Sequence, residues 1–393
     1  MNDTNIEYWL FLQSVIGFGN NKILDITTQY QNIRDFYDED VKYLLNVGLL
    51  NKEQAKRFKY VSLDSIYQTM EICDKLGHHI ITPDDKRYPE RLVNIIDPPA
   101  ALFVKGEFIN TDDYIAISIV GARKATRFGK DVARELAYNL TKCGCLIVSG
   151  GAKGIDFSAH TGALRAGGKT IAFLPCGLNY SYLPDNAELR DEISQNGCLI
   201  SEMPPNAPLF KNSFRVRNRL ISAFGLGTVV VEGNIRSGAS ITANHALEQG
   251  KDIFAVPGEA DNPYSYLPNK LIGLGAIPVT KTTDILNEYN SIYPNKLIYD
   301  LNYQNFIGSP ESVYDQEIQS AKNETNADVN LSDNAKTMLD AFVDAEEYSD
   351  DLIIRSGLDY DIAIQTFSEL EVANIIEAVP GGRYVIIENK RRH

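Results

Sequence analysis

A doubly wound α/β fold is the class this sequence predicts: a mostly parallel sheet between two layers of helices, with a small helical domain before it and a second small domain after it. Three observations carry the prediction. From Tyr114 onward, short β-rich apolar runs alternate with stretches of helical periodicity. The chain up to about residue 80 shows helical patterning only. Beyond a polar interruption near residue 300, helical runs return and end in a Gly-Gly hairpin.

The elements follow in chain order. In residues 1–80, "NIEYWLFLQSVIGFGNNKILDITTQY" and "VKYLLNVGLLNKEQAKRFKYV" each place apolar residues on both sides of a Gly-containing break, the pattern of a helix-hairpin-helix. Such hairpins either offer backbone N–H groups to a phosphate or simply form a small bundle. The strand candidates are "YIAISIV" (114–120), "CLIVS" (145–149), "TIAFLP" (170–175), "CLISE" (198–202), "TVVVEG" (228–233) and "DIFAVPG" (252–258). Amphipathic stretches such as "RFGKDVARELAYNLTKCG" separate them, so both sheet faces are covered and residues 81–290 read as a Rossmann-like domain. Residues 291–330 are rich in Asn, Ser, Tyr and charge and read as a linker. In residues 331–393, "SDNAKTMLDAFVDAEE", "SDDLIIRSG" and "DYDIAIQTFSELEVANIIEAVPGGRYVII" give three helices and a hairpin, the pattern of a winged helix.

Length and composition bound the function classes. The chain has 393 residues, 44% of them apolar, enough for two or three packed domains. Its start has neither a basic leader nor a small-residue cleavage site, and its apolar runs fall short of a membrane span, so a cytoplasmic location is expected. The five cysteines include no CxxC pair and read as buried free thiols, and the five histidines lack ligand-like spacing, so no metal is expected. The net charge of −14 is uneven: residues 331–393 hold 13 acids and 6 bases, whereas residues 86–286 hold 19 acids and 22 bases. A basic middle can present a positive groove despite an acidic whole, because exposed charge is screened beyond ~8 Å.

In an open α/β sheet, ligands bind beyond the carboxyl ends of the strands. Glycine and cations gather there. The first strand runs into "GARKAT", with Gly121, Arg123, Lys124 and Thr126; the second into "SGGAKGID", with Gly150, Gly151, Lys153, Gly154 and Asp156; the fifth into "EGNIRSGAS", with Arg236, Ser237 and Gly238. Glycine admits close backbone approach, and the helix that follows each loop offers free N–H groups to an anion. Neither G-x-x-x-x-G-K-[ST] nor G-x-G-x-x-G occurs, which argues against an ATPase or a dinucleotide enzyme, and no cofactor is expected.

The stretch "KNSFRVRNRLIS" (211–222) adds Lys211, Arg215, Arg217 and Arg219 with no acid. If a helix starts near Ser213, Val216, Leu220, Ile221 and Phe224 bury one face and leave Arg215 and Arg219 along the rim. Cations in the first turns oppose the helix dipole by ~0.3–1 kcal/mol each, a penalty that a bound anion reverses. A merely solvated face would mix its signs. Several such loops with a cationic helix start can follow consecutive phosphates, and Phe214 among the cations provides either a stacking face for a base or a core contact.

Taken together, "SIVGARKATRFG", "SGGAKGIDFSAH", "LNYSYLPDNAEL", "SFRVRNRLIS", "SGASITANHALEQGKDIFAVPG" and "NKLIGLGA" resemble, in order, the motifs of the DprA/Smf family of DNA-processing proteins of natural transformation. The resemblance spans residues 88–280, and the flanking regions match optional domains of that family. It implies a non-enzymatic protein that binds and protects incoming single-stranded DNA, loads the RecA recombinase onto it, and forms a homodimer through the Rossmann-like domain. Carried over by motif, Gly121, Arg123 and Lys153 would contact the DNA backbone. Lys211, Phe214, Arg217 and Asn218 would form the basic pocket, with Phe214 stacking on a base. Two departures stand out: Leu267 and Pro268 replace the usual Gly-rich loop before "NKLIGLGA", and the last helix, "DYDIAIQTFSELE", has four acids and no base.

The competing class is a nucleotide-processing enzyme of the phosphoribohydrolase type, for which Glu232 and Glu202 are the candidate carboxylates. Each also has an ordinary use as an ion-pair or capping group. No Ser/His/Asp or Cys/His arrangement stands out, and no catalytic residue is assigned.

Overall fold

Period-2 apolar patterning places alternate strand residues on opposite sheet faces, and each face must then be buried by helices. The computed structural model shows this arrangement; it describes residues 5–297, 331–343, 346–373, 375–379 and 382–387. The chain divides into two compact units, Met1–Ile307 and Gly308–His393.

The first unit opens with helices α1 (Ile6–Ile16), α2 (Lys22–Gln29), α3 (Ile33–Tyr37), α4 (Val41–Asn46), α5 (Lys52–Tyr60) and α6 (Leu63–Leu76). The expected breaks are present, with Gly17, Gly19 and Gly48 all at positive φ. These helices bury Trp9, Phe11, Leu12, Ile16, Phe36 and their neighbours. Leu10, Ile66 and Cys73 share a further cluster with Ala101 and Phe103 of the sheet. Gln13 donates to the Ala101 carbonyl at 2.8 Å and Trp9 Nε1 to Asp84 at 2.8 Å, so the helices are anchored on the sheet edge.

The sheet comprises β1 (His79–Ile81), β2 (Leu102–Gly106), β3 (Ala116–Val120), β4 (Leu146–Gly150), β5 (Thr170–Phe173), β6 (Cys198–Ser201), β7 (Gly227–Val230), β8 (Asp252–Ala255) and β9 (Ile277–Pro278). Their order is β1-β2-β6-β5-β4-β3-β7-β8-β9. From β6 to β9 every pairing is parallel; β2 joins β6, and β1 joins β2, antiparallel. All six strand candidates are present. The antiparallel strands β1 and β2 and the short β9 add to them.

Between the strands lie α7 (Glu90–Val93), α8 (Arg127–Lys142), α9 (Ile155–Arg165), α10 (Ala187–Asn196), α11 (Ser213–Phe224), α12 (Gly238–Glu248), α13 (Tyr266–Gly273) and α14 (Thr283–Asn290). Ala116, Val120, Leu146, Val148 and Val230 face Leu220, Ile221, Phe224 and Ala243 on one side. Ile117, Ile119, Ile147 and Val229 face Leu136, Leu140, Ala159 and Leu286 on the other. Each Val, Leu, Ile or Phe among them contributes ~1.5–3 kcal/mol by leaving water. All five cysteines are buried free thiols: Cys143, Cys145, Cys176 and Cys198 lie in the sheet domain's layers, and Cys73 lies on the inner face of α6. Among the described residues no helix is long and apolar enough to cross a membrane.

In the second unit α15 (Asp333–Asp340), β10 (Glu346–Tyr348), α16 (Ser349–Ser356) and α17 (Tyr360–Val372) precede the hairpin of β11 (Ile376–Val379) and β12 (Arg383–Ile386). The sheet order is β10-β12-β11, antiparallel throughout. Phe342, Leu352, Phe367 and Leu370 fill its core. Most of the expected linker and the terminal "KRR" lie outside the described residues.

Candidate nucleic-acid interface

Strands β3 and β7 are neighbours, yet the chain leaves them in opposite directions, toward β4, β5 and β6 after one and toward β8 and β9 after the other. Loops that diverge at such a switch point leave a crevice at the carboxyl edge. Here it is a cavity of about 480 Å³, lined by Gly121, Arg123, Asp156, Arg217, Asn218 and the Ser237–Gly238 helix start, among others.

The β3 loop forms one wall. Gly121 packs so tightly on Ile155 that a Cβ there would also lie 2.9 Å from the Glu232 carbonyl. Arg123 lays its guanidinium carbon 4.1 Å from the centroid of the Phe214 ring, while Lys124 beside it is exposed. Thr126 caps α8 by accepting from the Gly129 N–H at 3.1 Å. Its own N–H donates to Glu232 at 2.9 Å and its hydroxyl to the other oxygen of the same carboxylate. Thr126 therefore fixes the loop, and its donors point at protein instead of the crevice.

The β4 loop forms the floor. A Cβ at Gly150 would strike the Arg217 guanidinium and come within 2.6 Å of Asp156 Oδ2, so only glycine lets these two groups sit against the loop. Gly151 is buried against Leu174, and Gly154, at φ +83°, turns the chain into α9 beside the carbonyls of Ala122 and Arg123. Lys153 is exposed and paired with Asp185. The buried His160 donates from Nε2 to the Gly150 carbonyl at 3.0 Å; burial pushes its pKa down to about 4, so it stays neutral as it holds the loop.

Helix α11 supplies the charge. Arg217 is only 5% exposed, donates from Nη1 to the Phe173 carbonyl at 2.9 Å, and has no partner for Nε. Burial raises the Asp156 pKa to about 6, against the opposing pull of Arg217 and Arg123. Burial likewise lowers the Arg217 pKa despite Asp156. Desolvation outweighs attraction for both groups, which is the condition under which an added anion beside the guanidinium is favoured. Asn218 donates to the Gly238 carbonyl at 3.1 Å and ties α11 to the start of α12. The Ser237 hydroxyl there has no partner. Lys211, Arg215 and Arg236 are exposed. Phe214 is half-buried: it packs with Leu174, Cys176 and Tyr182 beneath, and Arg123 already covers part of it, so core contact and rim position coexist.

Arg219 corrects the reading that put it on the rim with Arg215. It is 1% exposed, with Nη2 donating 2.7 Å to each oxygen of Glu202 and Nε 3.2 Å from Asp97. A Cβ at Gly19 of the α1–α2 turn would lie 3.2 Å from Nε, and the Gly19 backbone also bonds Glu202, so this cluster joins the N-terminal helices to the sheet. Periodicity alone could not reveal it, because both acids come from elsewhere in the chain. The same contacts engage the two carboxylates nominated for an enzyme: Glu202 holds Arg219, and Glu232 holds Thr126.

Asp156 and Tyr182 lie beside Arg217 and Phe214, although the sequence marks neither as a ligand contact. Asp156 looks like an ordinary helix-start acid, although it is the sole acid in the Gly-rich run, which was the available signal. Tyr182, whose ring lies 6.0 Å from Phe214 and whose hydroxyl has no partner, sits in "LNYSYLPDN", a motif with no local pattern to mark it.

A family model described as DNA recombination-mediator protein A matches residues 79–290. Protein Smf of Escherichia coli (strain K12) is 33% identical over 388 residues, 97% of this chain and 96% of that protein. The X-ray structure of DNA processing protein A from Streptococcus pneumoniae aligns with a TM-score of 0.64 at 30% identity, over 73% of this chain and 99% of that one. DNA processing protein A from Helicobacter pylori, whose structure concerns its single-stranded DNA binding mode, aligns with a TM-score of 0.50 at 29% identity, over 55% of this chain and 97% of that one.

Proposed function

This chain belongs to the DNA recombination-mediator protein A family, and on that premise we propose that it binds single-stranded DNA in the switch-point crevice, protects it, and delivers it to the RecA recombinase. One observation carries the reading: Arg217, almost wholly buried at the crevice, keeps a guanidinium N–H without a partner where the β3 loop meets the starts of α9 and α12. A phosphate supplies both the missing acceptor and the counter-charge. Arg123, Lys124, Lys153, Lys211 and Arg215 then follow the strand along the rim, and the single-stranded DNA binding of the Helicobacter pylori relative supports this choice of ligand.

The protein acts in this reading as a binder, not an enzyme, and as a homodimer. The second unit, with three helices and a small antiparallel sheet, serves as a winged helix whose acidic α17 meets protein in preference to DNA. The test is a gel shift with single- and double-stranded DNA of one sequence. Preference for the single strand, with log affinity falling against log salt by about 0.7 per phosphate neutralised, is expected. Equal binding of both forms, or affinity independent of salt, would contradict the proposal. Turnover of a nucleoside monophosphate that is lost in Asp156→Asn would favour the enzyme instead, since a cleft carboxyl with a raised pKa suits proton transfer.

A further inference from the structure

Between Glu202 and Glu232 the sequence contains no acid, and the first third of that stretch, residues 203–212, forms the loop from β6 to α11. This loop is held in place at the same carboxyl edge as the crevice: Gly177 N–H donates to the Ala207 carbonyl at 2.8 Å and Asn179 N–H to the Pro205 carbonyl at 2.8 Å. It nevertheless leaves Leu209 37% and Phe210 41% exposed, next to the exposed Lys211. The Phe210 ring is stacked on Phe18 of the α1–α2 turn, with centroids 6.3 Å apart and planes 28° from parallel. Its backbone is clamped by Ser213, whose Oγ accepts from the Phe210 N–H at 2.6 Å and lies 2.7 Å from the Phe210 carbonyl. Phe18 is fixed in turn, because Gly19 beside it packs on Val216 and on the buried Arg219 cluster.

An aromatic ring that is rigid, backed by a second ring, partly open to water and adjacent to a lysine is the arrangement single-stranded nucleic acid uses for a base and its phosphate. We propose that Phe210, backed by Phe18, is a second base-stacking platform, with Lys211 taking the adjoining phosphate, so that the strand leaves the crevice past Phe214 and continues over the junction between the N-terminal helices and the sheet. This rests on the single-stranded DNA reading and extends it by naming the path. Stacking on a bare ring tolerates any base, so the platform adds length and affinity without adding sequence preference.

The competing role is packing, in which the Phe18–Phe210 pair only seats the N-terminal helices. The experiment uses the full chain and two thymidine oligonucleotides, a dinucleotide that occupies the crevice alone and one of about ten nucleotides that reaches the junction. Phe210→Leu keeps apolar bulk against Phe18 but removes the flat ring, and Phe210→Trp keeps the ring. Phe210→Leu is expected to weaken the longer oligonucleotide by about tenfold, leave the dinucleotide and the Tm unchanged, and be rescued in Phe210→Trp. Ultraviolet cross-linking of 5-iodouracil in the longer strand is expected to mark Phe210 in the wild type. Undiminished binding of the longer strand by Phe210→Leu, or an equal loss for both lengths with a lowered Tm, overturns the platform. Failure of the wild type to bind either strand would instead sink the functional reading on which the platform rests.

Discussion

Replacing Arg217 with Met separates the proposed binding role from mere packing, because methionine fills much of the same buried volume and carries no charge. In the folded protein Arg217 donates a hydrogen bond to the Phe173 carbonyl at 2.9 Å, and its buried Nε has no protein acceptor. A hydrogen bond to a charged group contributes ~1.5–3 kcal/mol, so the loss of the phosphate contact should raise Kd by roughly 10- to 150-fold. Removing one neutralised phosphate should also flatten the salt slope by about 0.7. The carbonyl left without its donor costs ~1–3 kcal/mol of stability, and Asp156, deprived of its nearest cation, becomes harder still to ionise. The assay is fluorescence anisotropy of a labelled thymidine oligonucleotide at a series of salt concentrations, beside a thermal melt. A folded Arg217→Met protein with wild-type affinity and an unchanged slope would refute the reasoning.

Other substitutions divide the arginine-bearing helix by role. Arg219→Met should break the buried cluster with Glu202 and Asp97 at a cost of ~3–5 kcal/mol, lowering the Tm while any residual DNA binding keeps its salt slope; a normal melt with a flattened slope would reverse the two assignments. Gly150→Ala should impair binding by about as much as Arg217→Met, since the added methyl group displaces both the guanidinium and Asp156, and anisotropy on the same oligonucleotide measures it. Asp156 gives a pH dependence. With its folded pKa raised from 3.8 to about 6, the native state holds the extra proton between these values, so this group's contribution to stability falls as pH rises through that window. Its surroundings, Arg217, Arg123, Tyr182 and Ser149, then face a neutral carboxyl below the window's upper end, and DNA affinity should climb as pH falls through about 6; in Asp156→Asn that climb should vanish. Glu232→Gln should lower the Tm by loosening the Thr126 cap while leaving the salt slope intact, as read by calorimetry and anisotropy.

The sheet was legible because its central strands are buried on both faces and read as uninterrupted apolar runs between amphipathic helices. β1 and β2 escaped that reading: they pair antiparallel at one side of the sheet, and the helices that cover the Phe103 face of β2 come from the N-terminal region. Likewise β10, "EEY", has no apolar run to mark it and exists through its pairing with β12. For the site, glycine-rich loops at strand ends reported their own position, since topology alone brings Gly121, Gly154 and Gly238 to one edge. What local spacing could not supply was the partner of each charge. Arg217 and Arg219 lie two residues apart, so a helix points them in different directions, and only the fold shows that one meets a cavity and the other meets Glu202. Thr126 was similarly ambiguous: its donors suit a phosphate as well as they suit the carboxylate of Glu232, which arrives from the far side of the switch point.

Hydrogen exchange of the full chain, with and without a saturating thymidine oligonucleotide, locates the bound strand without any substitution. Slowed exchange confined to the loops at 121–126, 150–157 and 234–240 and to residues 207–219 is the predicted footprint. Slowed exchange in α15 to α17 with none at those loops would contradict it and place the DNA on another part of the molecule.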